Sequence, residues 1–171
     1  MSLTTKFALA AAATLVMAVA GCTTRVDLDN AAALDGAEIV PRVPTSTAIR
    51  TFEKYCYQNR ANPGRVVASL KRDGYLLLVT DRRENFFGYA HPNRPMVGIM
   101  DNPAEPGCMV FVQRDPALAN AFNGFVKSRH RSAQQVSMRD LDTVWVARGT
   151  PTLVFARDVD GTDEVMLLLV Q

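Results

Sequence analysis

The chain has 171 residues, of which 19 are Lys or Arg and 17 are Asp or Glu, so its net charge is +2. This balance is too mild to indicate nucleic acid as a partner, because nucleic-acid-binding domains concentrate positive charge on one surface. The length after residue 47 suits one ordinary domain, and its composition is that of a chain with a buried core.

The first 22 residues have the parts of an export signal. Lys6 supplies a positive charge, and the run from Phe7 to Ala20 is apolar except for Thr14. A basic start, a short apolar stretch and small residues at a cleavage site are typical of segments that direct secretion. The run is shorter than the roughly 20 apolar residues that a membrane-spanning helix needs.

The segment ends in Val-Ala-Gly-Cys, at residues 19–22, which closely resembles the lipobox of bacterial lipoproteins. In that class the cysteine sulfur receives a diacylglyceryl group, the chain is cut before the cysteine, and the new amino group is acylated. The resemblance implies that residues 1–21 are removed and that lipidated Cys22 anchors a periplasm-facing protein to a membrane of the bacterial envelope. Thr23 stands where an aspartate holds similar enterobacterial proteins in the inner membrane, which favours the outer membrane. The alternative is an ordinary signal peptide, cut after Ala20 or Gly21.

Residues 22–47 are predicted to be a flexible tether. They contain more acidic than basic residues, two prolines (Pro41 and Pro44), and a single apolar patch at residues 31–34. A random chain of about 25 residues has a reach of roughly 25–30 Å, which would hold the domain away from the membrane. The alternative is a short helix from Asn30 to Leu34 that docks on the domain.

Residues 48–171 are predicted to form a single globular domain that contains three helices. The first runs from caps at Thr45–Thr47 to about Asn59. The second begins at Asn62-Pro63, a capping residue followed by proline in the first helical turn, and ends before Gly74. Asp115-Pro116 repeats that device and begins the third helix.

Apolar runs separated by turn residues predict the strands, which cover residues 75–80, 84–90, 96–101, 108–113, 143–147, 152–157 and 165–170. Asp160-Gly161 is a strong signal for a hairpin turn between the last two. Short links favour antiparallel pairing. We therefore predict an α+β fold with an antiparallel sheet of about six or seven strands. Three helices pack mainly on one face, in the order α-α-β-β-β-β-α-β-β-β.

Two cysteines lie inside the domain. Cys56 shares the apolar face of the first helix with Ile49 and Phe52, and Cys108 begins a strand of the core. Export exposes both to an oxidising compartment, where disulfides persist. We predict a Cys56–Cys108 disulfide. The alternatives are two separate buried thiols or a catalytic thiol that works with a histidine.

The remaining candidate for a site is the polar loop at residues 89–95. It could present His91 and Arg94 to an anionic ligand, although a loop of this composition is more often only a turn between strands. The domain has two histidines, His91 and His130, and without a free cysteine pair they do not make a usual zinc site. We predict no metal and no cofactor.

These observations favour a non-catalytic binding or interaction domain, anchored in the envelope, that binds another envelope protein, the cell wall or a small ligand. The alternative is a small envelope hydrolase or transferase that uses His91 with Asp81, Glu84 or Arg94. A carboxylate within hydrogen-bond distance of His91 would favour the enzyme.

Overall fold

The computed structural model describes residues 24–34, 37–138, 141–146, 152–156 and 163–170. The helices are α1 (Leu28–Ala33), α2 (Thr45–Thr51), α3 (Pro63–Arg72) and α4 (Leu118–Arg129), and a π-helical segment (Phe52–Tyr57) continues α2. The strands are β1 (Thr24–Val26), β2 (Leu76–Asp81), β3 (Phe86–His91), β4 (Arg94–Met100), β5 (Gly107–Gln113), β6 (Gln134–Met138), β7 (Leu141–Val146), β8 (Thr152–Ala156) and β9 (Glu164–Val170).

The nine described strands form one sheet in the order β1-β2-β3-β4-β5-β9-β8-β7-β6, and every pairing between neighbours is antiparallel. Strand β9 lies between β5 and β8, so the last strand of the chain joins the two halves of the sheet. The predicted α+β fold is confirmed, and each predicted strand has its counterpart. The sheet exceeds the predicted six or seven strands by β1 and β6, which lack the apolar run on which strand prediction depends.

The main helices cover one face of the sheet, as predicted. Phe52 on the π-helical segment is fully buried and contacts the rings of Phe122 and Phe125 on α4, edge to face, at 5.4 and 5.8 Å between ring centroids. Residues that alternate along the central strands complete this core, among them Val97, Ile99, Cys108, Val110, Leu167 and Leu169. Removal of this apolar surface from water is the main stabilising contribution to the fold.

The ends of α3 follow the sequence prediction. The side chain of Asn62 accepts a hydrogen bond of 3.1 Å from the Arg65 backbone amide, and Pro63 is the first helical residue. Gly74 follows the helix with a φ of 81°. This left-handed conformation favours glycine because it brings Cβ of other residues into conflict with the backbone.

The predicted caps of the other two helices are wrong in detail. Helix α2 begins at Thr45 itself, and its N-cap residue Pro44 makes no side-chain hydrogen bond. The Thr45 hydroxyl donates instead to the carboxylate of Asp115. Asp115 also accepts from the Ala117 amide at 2.9 Å and forms a turn ahead of α4, which begins two residues later than Pro116. The two candidate caps therefore bind each other and join the starts of two helices.

The prediction of a flexible tether at 22–47 is wrong for residues 24–34. Strand β1 extends the sheet beside β2, with Thr24 opposite Asp81, and α1 follows it. Leu34, after α1, is 6% exposed and packs against Leu78 and Ala90. The alternative of a short docked helix is closer to the structure, because the apolar patch at 31–34 finds a surface to cover and β2 gains a partner at its edge.

Helix α1 lies on the face opposite the main helices. Ala90 alternates with Tyr89 and His91 along β3, and Tyr89 belongs to the main core whereas Ala90 contacts Leu34. We call the part of this second side that α1 leaves uncovered the helix-free face, since α2, α3 and α4 are absent from its described part. Residues 37–44 then pass the end of β5, where Gln113 accepts a hydrogen bond of 3.2 Å from Arg42.

Helix α4 also covers part of the second half of the sheet. Trp145 on β7 is 4% exposed, and its indole N–H donates a hydrogen bond of 3.0 Å to Asn123 on α4. The Lys127 ammonium lies 5.7 Å from the centre of the indole ring. The predicted hairpin turn at Asp160-Gly161 lies outside the described residues, but β8 and β9, which it would connect, are antiparallel neighbours.

Candidate functional site

A disulfide joins Cys56 and Cys108, as predicted. Cys56 lies on the π-helical segment and Cys108 on β5, with their Cα atoms 5.2 Å apart, and both residues are fully buried. The bond fastens the first long helical segment to the middle of the sheet. It also consumes both thiols, so the alternatives of two separate thiols and of a catalytic cysteine in the domain are wrong.

Cys22, the predicted lipidation site, lies outside the described residues. Its modification remains a prediction from the resemblance to the lipobox. Within the described ranges, no helix has the length and apolar character needed to cross a membrane.

His91 and Arg94 flank the tight turn between β3 and β4 and face each other as a pair. The His91 Nδ1 atom accepts a hydrogen bond of 3.1 Å from the backbone amide of Asn93. Its ring tilts against Tyr75, with ring centroids 5.2 Å apart. Burial, together with the positive charge of Arg94, lowers the pKa of His91 below its ordinary value, although Asp73 partly opposes this. The structure therefore favours a neutral imidazole.

Of the catalytic partners that the alternative function gave His91, Arg94 lies beside it, but the carboxylates of Asp81 and Glu84 do not. Asp81 ends β2 and pairs with Phe86, at the end of β3 opposite His91, and Glu84 lies in the turn between those strands. No carboxylate of the described chain makes a hydrogen bond to His91. The contacts of His91 are those of a residue that holds a hairpin turn against Tyr75.

Behind this turn lies a hydrogen-bonded network that the sequence did not predict. The Tyr55 hydroxyl donates to the Asp73 carboxylate at 2.8 Å, and Arg94 approaches the same hydroxyl at 3.5 Å. Lys54 forms an ion pair with Asp73, also at 2.8 Å. Hydrogen bonds from Lys54 and Tyr55 lower the pKa of Asp73, whereas burial raises that of Tyr55. The network links Asp73, which follows α3, and Arg94 on β4 to the π-helical segment, so its observed role is to fix α3 and the β3–β4 turn to that segment.

A shallow groove of about 420 Å³ between α3 and the sheet is a candidate binding site. Its walls and floor come from α3, β3 and β4. The lining is mostly apolar and includes Val67, Phe87, Tyr89 and Ile99. Lys71 and Asp101, both exposed, supply charges of opposite sign. We call this site the α3 groove.

Tyr89 gives the α3 groove a free polar group. The residue is 5% exposed, and its hydroxyl makes no hydrogen bond within the described part of the chain. In the described part, every fully buried side-chain oxygen or nitrogen has a hydrogen-bond partner. The Tyr89 hydroxyl has none, so it is not fully buried and solvent reaches it. Burial raises its pKa, so the hydroxyl stays protonated and can donate a hydrogen bond to a ligand. An apolar cleft with a few placed polar groups is the usual form of a small-molecule site.

A second groove, of about 340 Å³, lies on the helix-free face. Its lining is dominated by Phe86, Met100, Met109, Met166 and Leu168, and we call it the methionine groove. Glycines of the sheet make room for these long side chains. A methyl group at Gly98 would come within 2.6 Å of Phe86 and 2.7 Å of Met109. The side chains therefore lie across the sheet and partly cover the face that the helices leave open.

The described part of the chain contains no group of three or more His, Cys, Asp or Glu side chains placed to hold a metal ion. Comparisons with protein-family models, with curated proteins and with solved structures found no match. The functional argument therefore depends on the residues themselves.

Proposed function

We propose that this chain is a bacterial envelope lipoprotein, anchored through Cys22, whose domain binds a small amphiphilic ligand in the α3 groove without catalysing a reaction. The proposed location favours the cell wall and other envelope molecules as the source of such a ligand. The observation that carries the binding role is the α3 groove itself, with its apolar floor and the free hydroxyl of Tyr89.

The buried disulfide supports the proposed location. Structural disulfides form and persist outside the cytoplasm and are rare inside it. The bond between Cys56 and Cys108 therefore agrees with the export signal at residues 1–21. It does not by itself distinguish a lipoprotein from a secreted protein, a distinction that depends on the Val-Ala-Gly-Cys motif.

The shape and polarity of the α3 groove support the ligand class. Val67 and Phe87, both partly exposed, offer an apolar surface to the body of the ligand, and the Tyr89 hydroxyl can donate to an acceptor on it. Lys71 and Asp101 form no ion pair with each other within the described residues. Both are free to pair with charged or polar ends of the ligand.

Lipidation is tested by expressing the full chain in a bacterium with labelled fatty acid. We expect label on the protein, sedimentation with membranes, and loss of both in the Cys22→Ala variant. Two or more acyl chains anchor a protein stably, whereas one chain gives only marginal binding. A wild-type protein without lipid would refute the proposed anchor.

Ligand binding is tested with anilinonaphthalene sulfonate, an amphiphilic dye that fluoresces in apolar sites. Ala68 lines the α3 groove, so Ala68→Trp should fill it and remove the saturable dye binding that this groove contributes. Ala104→Trp, in an exposed loop, is the matched control and should bind the dye as the wild type does. Unchanged binding by Ala68→Trp would show that the dye binds elsewhere and would contradict the proposed site. Displacement of the dye by soluble cell-wall fragments then tests the cell wall as the source of ligand.

A further inference from the structure

Strand β1, the first element that the structure describes, begins two residues after Cys22. Thr24 pairs with Asp81 at the end of β2, and its hydroxyl donates a hydrogen bond of 2.9 Å to the Asp81 carboxylate. Two residues of fully extended chain span only about 7 Å. A lipid on Cys22 would therefore hold this corner of the sheet close to the bilayer, in place of the roughly 25–30 Å allowed by the flexible tether that the sequence predicted.

This corner belongs to the helix-free face. Residues directly opposite each other in antiparallel strands project from the same side, so Thr24, Asp81 and Phe86 share one side of the sheet. Asp81 and Phe86 both line the methionine groove. The point at which the chain emerges is therefore beside that groove.

The same face carries the most exposed apolar side chains near this corner. Val26, opposite Val79 on the helix-free side, is 38% exposed. Leu28 begins α1, which packs on that side, and is 77% exposed. An apolar surface beside a lipid attachment point is well placed to enter the headgroup region of a bilayer.

We propose that the helix-free face lies on the bilayer that holds the Cys22 lipid, with Val26, Leu28 and the rim of the methionine groove in contact with it. This inference rests on the proposed lipidation of Cys22. It gives the domain a fixed orientation in which the main helices and the α3 groove point away from the membrane, toward soluble ligands.

Charges near the corner predict how this contact depends on the lipids. Arg82 and Arg83 are exposed in the turn after β2, but Asp81 and Glu84 flank them. Arg25, Asp27 and Asp29 adjoin the contact residues Val26 and Leu28, and with them the corner carries three positive and four negative formal charges. The contact therefore depends on apolar side chains. We expect the same docking on neutral phosphatidylcholine as on vesicles that also contain anionic phosphatidylglycerol, since basic clusters are what make membrane binding sensitive to anionic lipid.

The test measures the depth of a nitroxide label on the lipidated full-length chain in such vesicles. With Cys22 acylated and the other two natural cysteines bridged, an introduced cysteine is the single free thiol. Leu28→Cys places the label at the proposed contact, and Arg72→Cys, exposed at the end of α3, is the matched control. Both changes are at exposed positions, so both variants should fold.

In vesicles we expect the label at residue 28 to be shielded several-fold from a water-soluble nickel chelate, and the label at residue 72 to remain fully accessible. Equal access of the chelate to both labels, with mass spectrometry showing acylated Cys22, would overturn the docking and leave the lipoprotein proposal intact. Absence of acyl groups on Cys22 would instead refute the proposed anchor, and the docking with it.

Discussion

Removal of the disulfide should destabilise the domain by about 4 kcal/mol. The bond spans a sequence separation of 52 residues. In the chain-entropy model, a cross-link that closes a loop of this length lowers the entropy of the unfolded chain by an amount equivalent to about 4 kcal/mol at room temperature. Cys56→Ala, Cys108→Ala and the double variant should each lose about this amount, with a small further cost for packing because both residues are fully buried.

Equilibrium urea unfolding followed by circular dichroism measures this loss. With a slope of about 2 kcal/mol per molar urea, a loss of about 4 kcal/mol moves the unfolding midpoint by about 2 M. Hydrogen exchange adds the location of the effect. Because the bond ties the π-helical segment to β5, amides of α2 and Phe52–Tyr57 should lose more protection than those of β9.

The pattern among the variants separates the covalent link from ordinary packing. Once one cysteine is absent the bond is already lost, so the double variant should be little less stable than either single variant. Independent packing losses would instead add together. Additive losses, or a loss below about 1 kcal/mol in every variant, would refute the reasoning from loop entropy.

Three further changes test other contacts by urea unfolding. Gly98→Ala should lower the free energy of unfolding by about 1–3 kcal/mol, because its methyl group would meet packed side chains. Gly124→Ala, in α4 with open space around it, should raise the free energy of unfolding by about 0.5–1 kcal/mol. Equal effects of the two changes would contradict the packing described. Asp73→Ala should lower the free energy of unfolding by about 1–3 kcal/mol, because the buried Tyr55 hydroxyl loses its acceptor. Asp73→Asn keeps an acceptor and should cost less. A larger loss in Asp73→Asn than in Asp73→Ala would be inconsistent with this hydrogen bond. Burial lowers the pKa of His91 from 6.5, so neutral His91 contributes to stability above pH 6.5, and this contribution is lost as the pH falls through the lowered pKa. His91→Gln should therefore reduce the loss of stability at low pH. An unchanged pH profile of stability in this variant would argue against the contribution of His91.

The sequence was sufficient for the features that depend on local patterns. The strands from β2 to β5 each contain a mostly apolar run between turn residues, broken only by Gly88 in β3 and Gly98 in β4. Asn62-Pro63 and Gly74 mark the ends of α3. The pairing of Cys56 with Cys108 followed from their apolar settings and from the export signal. In each case the information lies within a few residues of the element or in the small number of cysteines.

The features that were missed depend on contacts between distant parts of the chain. Helix α1 has six residues and is too short to be stable alone, so it exists because Leu34 finds Leu78 on β2. The hydrogen bond from Tyr55 to Asp73 joins residues 18 positions apart, and that from Arg94 to Tyr55 joins residues 39 apart. No local pattern marks either partner, since Tyr55 resembles any aromatic residue on a buried helix face.

The two grooves differ in what they can recognise, and this difference is why we assign the ligand to one and the membrane to the other. The methionine groove is lined by flexible, polarizable side chains that adapt to many apolar shapes and set few directional contacts. Such a surface suits a fluid bilayer, whose acyl chains present no fixed geometry. The α3 groove adds the Tyr89 hydroxyl, Lys71 and Asp101 to an apolar floor, and these groups can orient one molecule and reject others. If Cys22 is lipidated as proposed, the short span between Cys22 and Thr24 makes the two proposed roles compatible, because contact of one face with the membrane would leave the opposite face open to a ligand.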